Sequence, residues 1–309
     1  MAAMGTDVKE RAGKKRTRTA AICIFLGIPA TIFLGFLLGE KHYLLISAAV
    51  LLETMLPFFL IYEGRRPKAR EIVMLALLGA LTVMGNLLSF TAVPLQAGTA
   101  MVILSGISFG PEAGFLVGAL ARFVSNFFQG QGAWTPWQMF CWGLLGFLAG
   151  LVFHKANRDQ VRSRDFQMVA GPVISVVCAE VLAYLSYLLF PAGETSFWGW
   201  RLYAFGAAGL LFGVLIQKKQ FPADQITLAV YTFFSVFIVY GGIINICAMF
   251  TGAAFTGEIS WDQLRILYLT GVPFDLMHAL KATIFMVLFG NPLLQKLERV
   301  KIKYGFYKI

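Results

Sequence analysis

The sequence predicts an all-α polytopic membrane protein of about ten transmembrane helices, and three observations carry that prediction. Hydrophobic residues fill 58% of the 309 positions and charged residues only 14%, whereas a soluble domain uses about 25% charged residues to cover its surface. Apolar runs of roughly 18 or more residues recur along the chain, each long enough to cross a ~30 Å hydrocarbon core. Lys and Arg crowd into the short segments between those runs. In lipid every backbone amide must be satisfied within its own segment, so helix is the default. The alternating pattern of barrel strands is absent.

The predicted spans are 20–38, 43–62, 71–91, 96–109, 111–129, 137–154, 168–190, 200–217, 225–250 and 267–290. The first follows the basic stretch KERAGKKRTR. It is too long for a signal-peptide core, and GFLLGEKH offers no small-residue cleavage site, so it is a retained helix. The second carries Glu53 at mid-depth, and the third ends near Asn86. The fourth, QAGTAMVILSGISF, is short: tilted, re-entrant or confined between neighbours. The fifth opens with Gly110, Gly114 and Gly118, and the sixth repeats the four-residue spacing with Gly146 and Gly150. Such stripes let membrane helices approach closely.

The seventh and eighth spans look like a second copy of the preceding hairpin. WQMFCWGLLGFLAGLVFHK (137–155) matches WRLYAFGAAGLLFGVLIQK (200–218), with Gly143, Gly146 and Gly150 falling on Gly206, Gly209 and Gly213. Gly110-Pro111 corresponds in turn to Gly171-Pro172. The copies are two helices apart and so share an orientation. In the tenth span, GVPFDLMHALK places Pro273 at the helix start, because proline suits a first helical turn.

Charge fixes the orientation. With the N-terminus inside, the inner segments (1–19, EGRRPKAR, SFGPE, HKANRDQVRSRDFQ, QKKQFPADQ and the C-terminal tail) hold 21 of the 26 Lys and Arg residues. This positive-inside bias survives only if the fourth span is counted. Residues 1–19 are then a basic cytoplasmic segment, 20–62 a helix pair, 70–290 the main transmembrane domain with 168–217 as an inserted hairpin, and 291–309 a basic cytoplasmic tail. Both termini lie in the cytoplasm, and the chain resides in the cell membrane. The net charge of +10 is therefore an orientation signal and not a nucleic-acid footprint.

Several chemistries are excluded. No GxxxxGK[ST] loop occurs, so any ATP-driven step needs another subunit, and GQG at 130–132 lacks the setting of a dinucleotide loop. Cys23, Cys141, Cys178 and Cys247 are isolated within apolar runs, and His42, His154 and His278 form no HExxH. No metal site, disulfide framework, cofactor or catalytic constellation is predicted, and the chain does not read as an enzyme.

Polar residues inside spans carry more information, since a charged one costs about 2.5–3.5 kcal/mol at mid-membrane. Arg122, Ser125, Asn126 and Gln129 lie at i, i+3, i+4 and i+7, one face in the outer half of the fifth helix. The following loop adds Gln131, Trp134, Trp137 and Gln138. Asn86, Asn245, Asp275 and His278 lie at similar depth on other helices, and Glu180, Tyr184 and Tyr187 share a face of the seventh. Amides, aromatics and a few charges gathered at one level are the usual lining of a small-molecule pocket. The structural alternative is that Arg122 pairs with Glu180 or Asp275 while the tryptophans form an interfacial belt.

From Arg70 onward the chain resembles the substrate-specific S components of energy-coupling factor (ECF) transporters. The resemblance rests on REIVMLALLGALTVMGN, on SFGPEAGFLVGALARFVSNFFQGQGAWTPWQMFCWGLLGFLAG, on FIVYGGIIN and on GVPFDLMHALKATIFMVLFGNPLLQKLERVKIKYG. It implies a subunit that binds a vitamin or similar micronutrient at its outer face. It also implies docking onto a transmembrane T component carrying two ATPases, and toppling in the membrane to release the cargo. The docking motif AxxxA is matched by Ala76 and Ala80. S components usually have six spans, so the resemblance implies a core of spans three to six, nine and ten. Two other classes compete: an ion-coupled secondary transporter with Glu53, Glu180 or Asp275 as proton carrier, and a membrane-embedded enzyme acting on a lipid-linked substrate.

Overall fold

A computed structural model describes residues 19–38, 42–65, 69–91, 95–153, 167–191, 196–216, 224–256 and 259–304. The N-terminal basic segment, most of the 154–167 connection and the end of the C-terminal tail lie outside those residues. Every predicted span coincides with a helix: α1 (19–38), α2 (Tyr43–Arg65), α3 (Ala69–Thr91), α4 (Ala97–Phe109), α5 (Pro111–Gln129), α6 (Thr135–Phe153), α7 (Gln167–Leu189), α8 (Trp200–Ile216), α9 (225–256) and α10 (261–303). No strand occurs among the described residues. The chain is a polytopic helical membrane protein.

Among the described residues four stretches are both long and apolar enough to cross a bilayer: Ala69–Ser89, Thr135–Phe153, Gln225–Gly252 and Trp261–Lys303. The α5 helix has the length, but Glu112, Arg122, Asn126 and Gln129 interrupt its apolar character. α4 spans only 13 residues, or about 20 Å. Its confinement explains this, because every residue from Gly98 to Ser108 is buried by neighbouring helices. A helix sheathed in protein need not match the thickness of the lipid.

The largest apolar cluster draws on α3 (Leu75, Leu78), α4 (Ile103, Leu104), α5 (Val117), α6 (Leu145, Phe153), α9 (Leu228, Val236) and α10 (Ala279, Met286). These are the six helices that the S-component resemblance assigns to its core. A second cluster sets Ala20, Ile24, Ile28 and Ile32, an i, i+4 ridge, with Ile46 and Val50 against α5 and α6. The N-terminal helix pair thus packs on the outside of the core. A third joins Leu202 and Tyr203 of α8 to Met249 of α9 and to Leu264, Tyr268 and Val272 of α10. The second hairpin therefore attaches to the core through α8.

Glycine sets the closest approach. A Cβ at Gly146 would overlap the Gly114 carbonyl, and one at Gly118 would meet the Trp142 carbonyl, so α5 and α6 run backbone to backbone. In the second hairpin, a Cβ on Gly209 would lie 2.9 Å from the Ser175 carbonyl. Gly209 and Ser175 are the repeat equivalents of Gly146 and Gly114.

The structure corrects the tenth span. Its helix begins at Trp261, capped where the Ser260 Oγ accepts from the Asp262 N–H at 3.3 Å, and Pro273 lies inside it. The cap and the helix-forming run WDQLRILYL extend the helix well before the proline, so Asp275 is mid-helix and not in a first turn. At the other end α10 continues to Lys303 through a π-turn at Met286–Gly290. Much of the predicted tail is helical, its Leu293, Leu294 and Leu297 packed on the core.

Candidate functional site

Asn86, at the C-terminal end of α3, faces the polar stripe of α5. Its Nδ2 donates to Ser125 Oγ at 3.0 Å, and its backbone oxygen accepts from Gln129 Nε2 at 3.1 Å. The Ser125 hydroxyl donates back to the Ala121 carbonyl at 2.7 Å, the usual way a membrane helix satisfies a serine. Arg122 lies one turn deeper. Its Nη1 donates to Gln129 Oε1 at 2.8 Å and its Nε to Gln138 Oε1 of α6 at 3.0 Å. Gln138 Oε1 also accepts from Asn126 Nδ2 at 2.9 Å, and the other Asn126 hydrogen reaches Thr135 Oγ1 at 3.0 Å. One network therefore crosses α3, α5 and the first turns of α6.

Beneath it lies an aromatic wall. The guanidinium of Arg122 stands 4.4 Å above the Trp142 ring. Trp142 meets Tyr240 of α9 edge-on at 4.8 Å and lies 5.9 Å from His278 of α10. Tyr240 and His278 are in T-shaped contact at 4.4 Å, and His278 Nε2 is hydrogen-bonded to Thr99 Oγ1 of α4 at 3.0 Å. Tyr240 ends a π-helical stretch, Ser235–Tyr240; such bulges are frequent at functional sites because they re-aim side chains. All six core helices contribute a group.

Three buried polar atoms here have no partner among the described residues: Asn126 Oδ1, Gln131 Oε1 and Trp142 Nε1. Gln131 leans back onto α5, its Nε2 donating to the Phe123 carbonyl at 3.2 Å. Trp137 stacks on Phe250 of α9 at 5.5 Å, while Trp134 is 46% exposed.

Asn245 and Asp275 do not join this network. Asp275 Oδ2 accepts from the Tyr203 hydroxyl of α8 at 2.6 Å and from Asn245 Nδ2 at 2.8 Å, while Tyr268 OH donates to the Gly242 carbonyl at 3.0 Å. Gly241 and Gly271 let these groups in: a Cβ on Gly241 would stand 2.6 Å from the Asp275 carboxyl carbon, and one on Gly271 would meet Asn245. Two clusters result, one around Arg122 and one that ties α8 to α9 and α10. The split follows from the flank of α10 that carries Asp275, which faces Tyr203 of α8 and Asn245 of α9. Neither predicted alternative partner reaches Arg122: among the described residues no Asp or Glu forms an ion pair with it.

Sequence reasoning passed over Thr99, Thr135, Trp142, Tyr203 and Tyr240. Trp142 carried a signal, lying one turn beyond Gln138 on the same face of α6. Thr99, Tyr203 and Tyr240 owe their position to contacts between helices, and Thr135 to the turn that joins α5 to α6.

Residues 67–193 match the family model described as the S component of the ECF-type riboflavin transporter. The match covers α3 to α7, running into the second hairpin. A UPF0397 protein of Vibrio atlanticus is 29% identical over 146 residues, which is 44% of this chain and 73% of that protein. A UPF0397 protein of Aliivibrio fischeri is 34% identical over 104 residues, 32% of this chain and 55% of its own length. One from Aliivibrio salmonicida is 34% identical over 89 residues, 27% and 48% of the two chains. The chain thus spans about half the length of the Aliivibrio relatives. No solved structure matches it. From α3 to α7, four core helices and the start of the second hairpin, the chain is thus similar to the ECF S components.

Proposed function

We propose that this chain captures a vitamin-sized solute from outside the cell in the network around Arg122 and presents it to an ECF motor made of other chains. The observation that carries the reading is the network itself. Asn86, Arg122, Ser125, Asn126, Gln129 and Gln138 are joined by hydrogen bonds within the helices that match the S-component family. His278 closes the wall below, with Gln131, Trp134 and Trp137 at the mouth. Riboflavin, named for the family, belongs among the solutes to test. Aromatic faces with amide edges suit a flat heterocycle of that kind.

Docking fits the opposite side of α3. Ala76 and Ala80 are exposed there beside Ile72, Val73, Leu77, Leu81 and Met84. Two alanines a turn apart form a shallow groove into which a helix of a T component can settle. In this reading both termini are cytoplasmic, where the basic segments face the ATPases.

A second reading is an ion-coupled carrier, because Glu53 Oε2 and Glu180 Oε2 are buried without partners among the described residues. One experiment separates the two. The tagged chain is purified from its native membranes, and uptake is assayed in a host lacking ECF ATPases. Solute capture for ECF predicts recovery of a T component and ATPases, with no uptake by the chain alone. Uptake by the chain alone that an uncoupler abolishes would overturn it.

A further inference from the structure

We propose that the solute carries an anionic oxygen group, a carboxylate or a phosphate, and that Arg122 receives it. The site then selects an acid over its neutral counterpart. This rests on the solute-capture reading and narrows it to a chemical class.

The guanidinium has five N–H donors. Nε and one hydrogen of Nη1 go to the amide oxygens of Gln138 and Gln129, and one face lies on Trp142. Both Nη2 hydrogens and the second Nη1 hydrogen have no acceptor among the described residues. Every group bonded to Arg122 is neutral, so its positive charge is oriented but not balanced. A cation held inside a helical bundle is ordinarily paired with an anion, because desolvation is otherwise uncompensated.

The protein does own a suitable carboxylate and keeps it elsewhere. Asp275 lies one turn from His278 on α10, but Tyr203 and Asn245 hold its Oδ2, and it is wedged against Gly241. Two neutral donors fix that carboxylate on the α8 side, where it forms no ion pair with a cation among the described residues. The Arg122 guanidinium and the Asp275 carboxylate are thus held apart by specific contacts on each. The open edge of a guanidinium is a planar fork that matches two oxygens of one carboxylate or phosphate. Trp142 Nε1, buried without an acceptor, is a further donor below it, while Asn126 Oδ1 and Gln131 Oε1 are free acceptors for N–H or O–H groups on the rest of the solute.

The test uses matched pairs on the full-length chain in nanodiscs: nicotinate and nicotinamide, biotin and biotin amide, riboflavin 5′-phosphate and riboflavin. Small molecules retained through purification are identified in parallel by mass spectrometry. The expected result is that one anionic member, or one retained acid, binds at least about tenfold more tightly than its neutral form, a difference of about 1.4 kcal/mol. Added salt should weaken the acid alone. Arg122→Gln should erase the difference within the pair, whereas Arg122→Lys, which keeps the charge but not the fork, should retain part of it. Equal thermal melting of the two variants shows that the loss is not misfolding. Tighter binding of a neutral member, or a preference that persists in Arg122→Gln, overturns the anion assignment and leaves solute capture standing. If nothing binds and nothing is retained, solute capture itself fails and the assignment with it.

Discussion

Gln138 is the residue on which the site turns, because its single amide oxygen accepts from both Arg122 and Asn126. Gln138→Leu strands two buried donors, at about 1–3 kcal/mol each. It should lower the melting temperature and weaken solute binding at least about tenfold, as equilibrium titration would show. Gln138→Glu separates stability from function. A carboxylate beside Arg122 supplies the missing counter-charge, so the protein should melt no lower than wild type while an acidic solute loses its place. Tyr203→Phe probes the other cluster. It removes one of the two donors to Asp275 and should cost about 1–2 kcal/mol, with solute affinity little changed. Much of the Arg122 group was legible in the sequence, because Arg122, Ser125, Asn126 and Gln129 repeat at helical spacing. The separation of Asp275 and Asn245 was not. It depends on which flank of α10 faces α8, and that follows from distant contacts such as Tyr203 on Asp275.

Among the elements, α5 and α6 form the rigid pair that sets the distance from Arg122 to Gln138. Their backbones touch at Gly114 and Gly146. Gly146→Val should force the helices apart, at 1–3 kcal/mol or more for overpacking. The measurable outcome is a lower yield of monodisperse protein and weaker binding, although position 146 contributes no polar atom to the site. The glycine stripes announced close helix packing in the sequence, and the alignment of the two hairpins set Gly209 on Gly146; its approach to Ser175 came from the structure. Helix ends were less legible. Proline suits a first turn, so Pro273 read as a start, yet the Ser260 cap and the run after it carry the helix from Trp261. The short α4 looked weak for a span because hydropathy presumes contact with lipid, and α4 touches almost none.

At the scale of the whole molecule, six helices make the core, and two helix pairs lie on different sides of it. The N-terminal pair rests on α5 and α6, and the second hairpin on α9 and α10 through α8. This leaves the alanine face of α3 exposed. Replacing Ala76 and Ala80 together by Trp should therefore abolish ATP-driven uptake and recovery of the motor subunits, while the isolated chain binds solute as before. The central claim is that the network between α3, α5 and α6 holds the cargo. Native mass spectrometry of the chain released from nanodiscs tests it most directly. The account predicts one small-molecule adduct per chain in the wild type, without ATP, and its disappearance in an Asn126→Ala, Gln138→Ala double variant that still folds. The same adduct at full occupancy in that variant would contradict it.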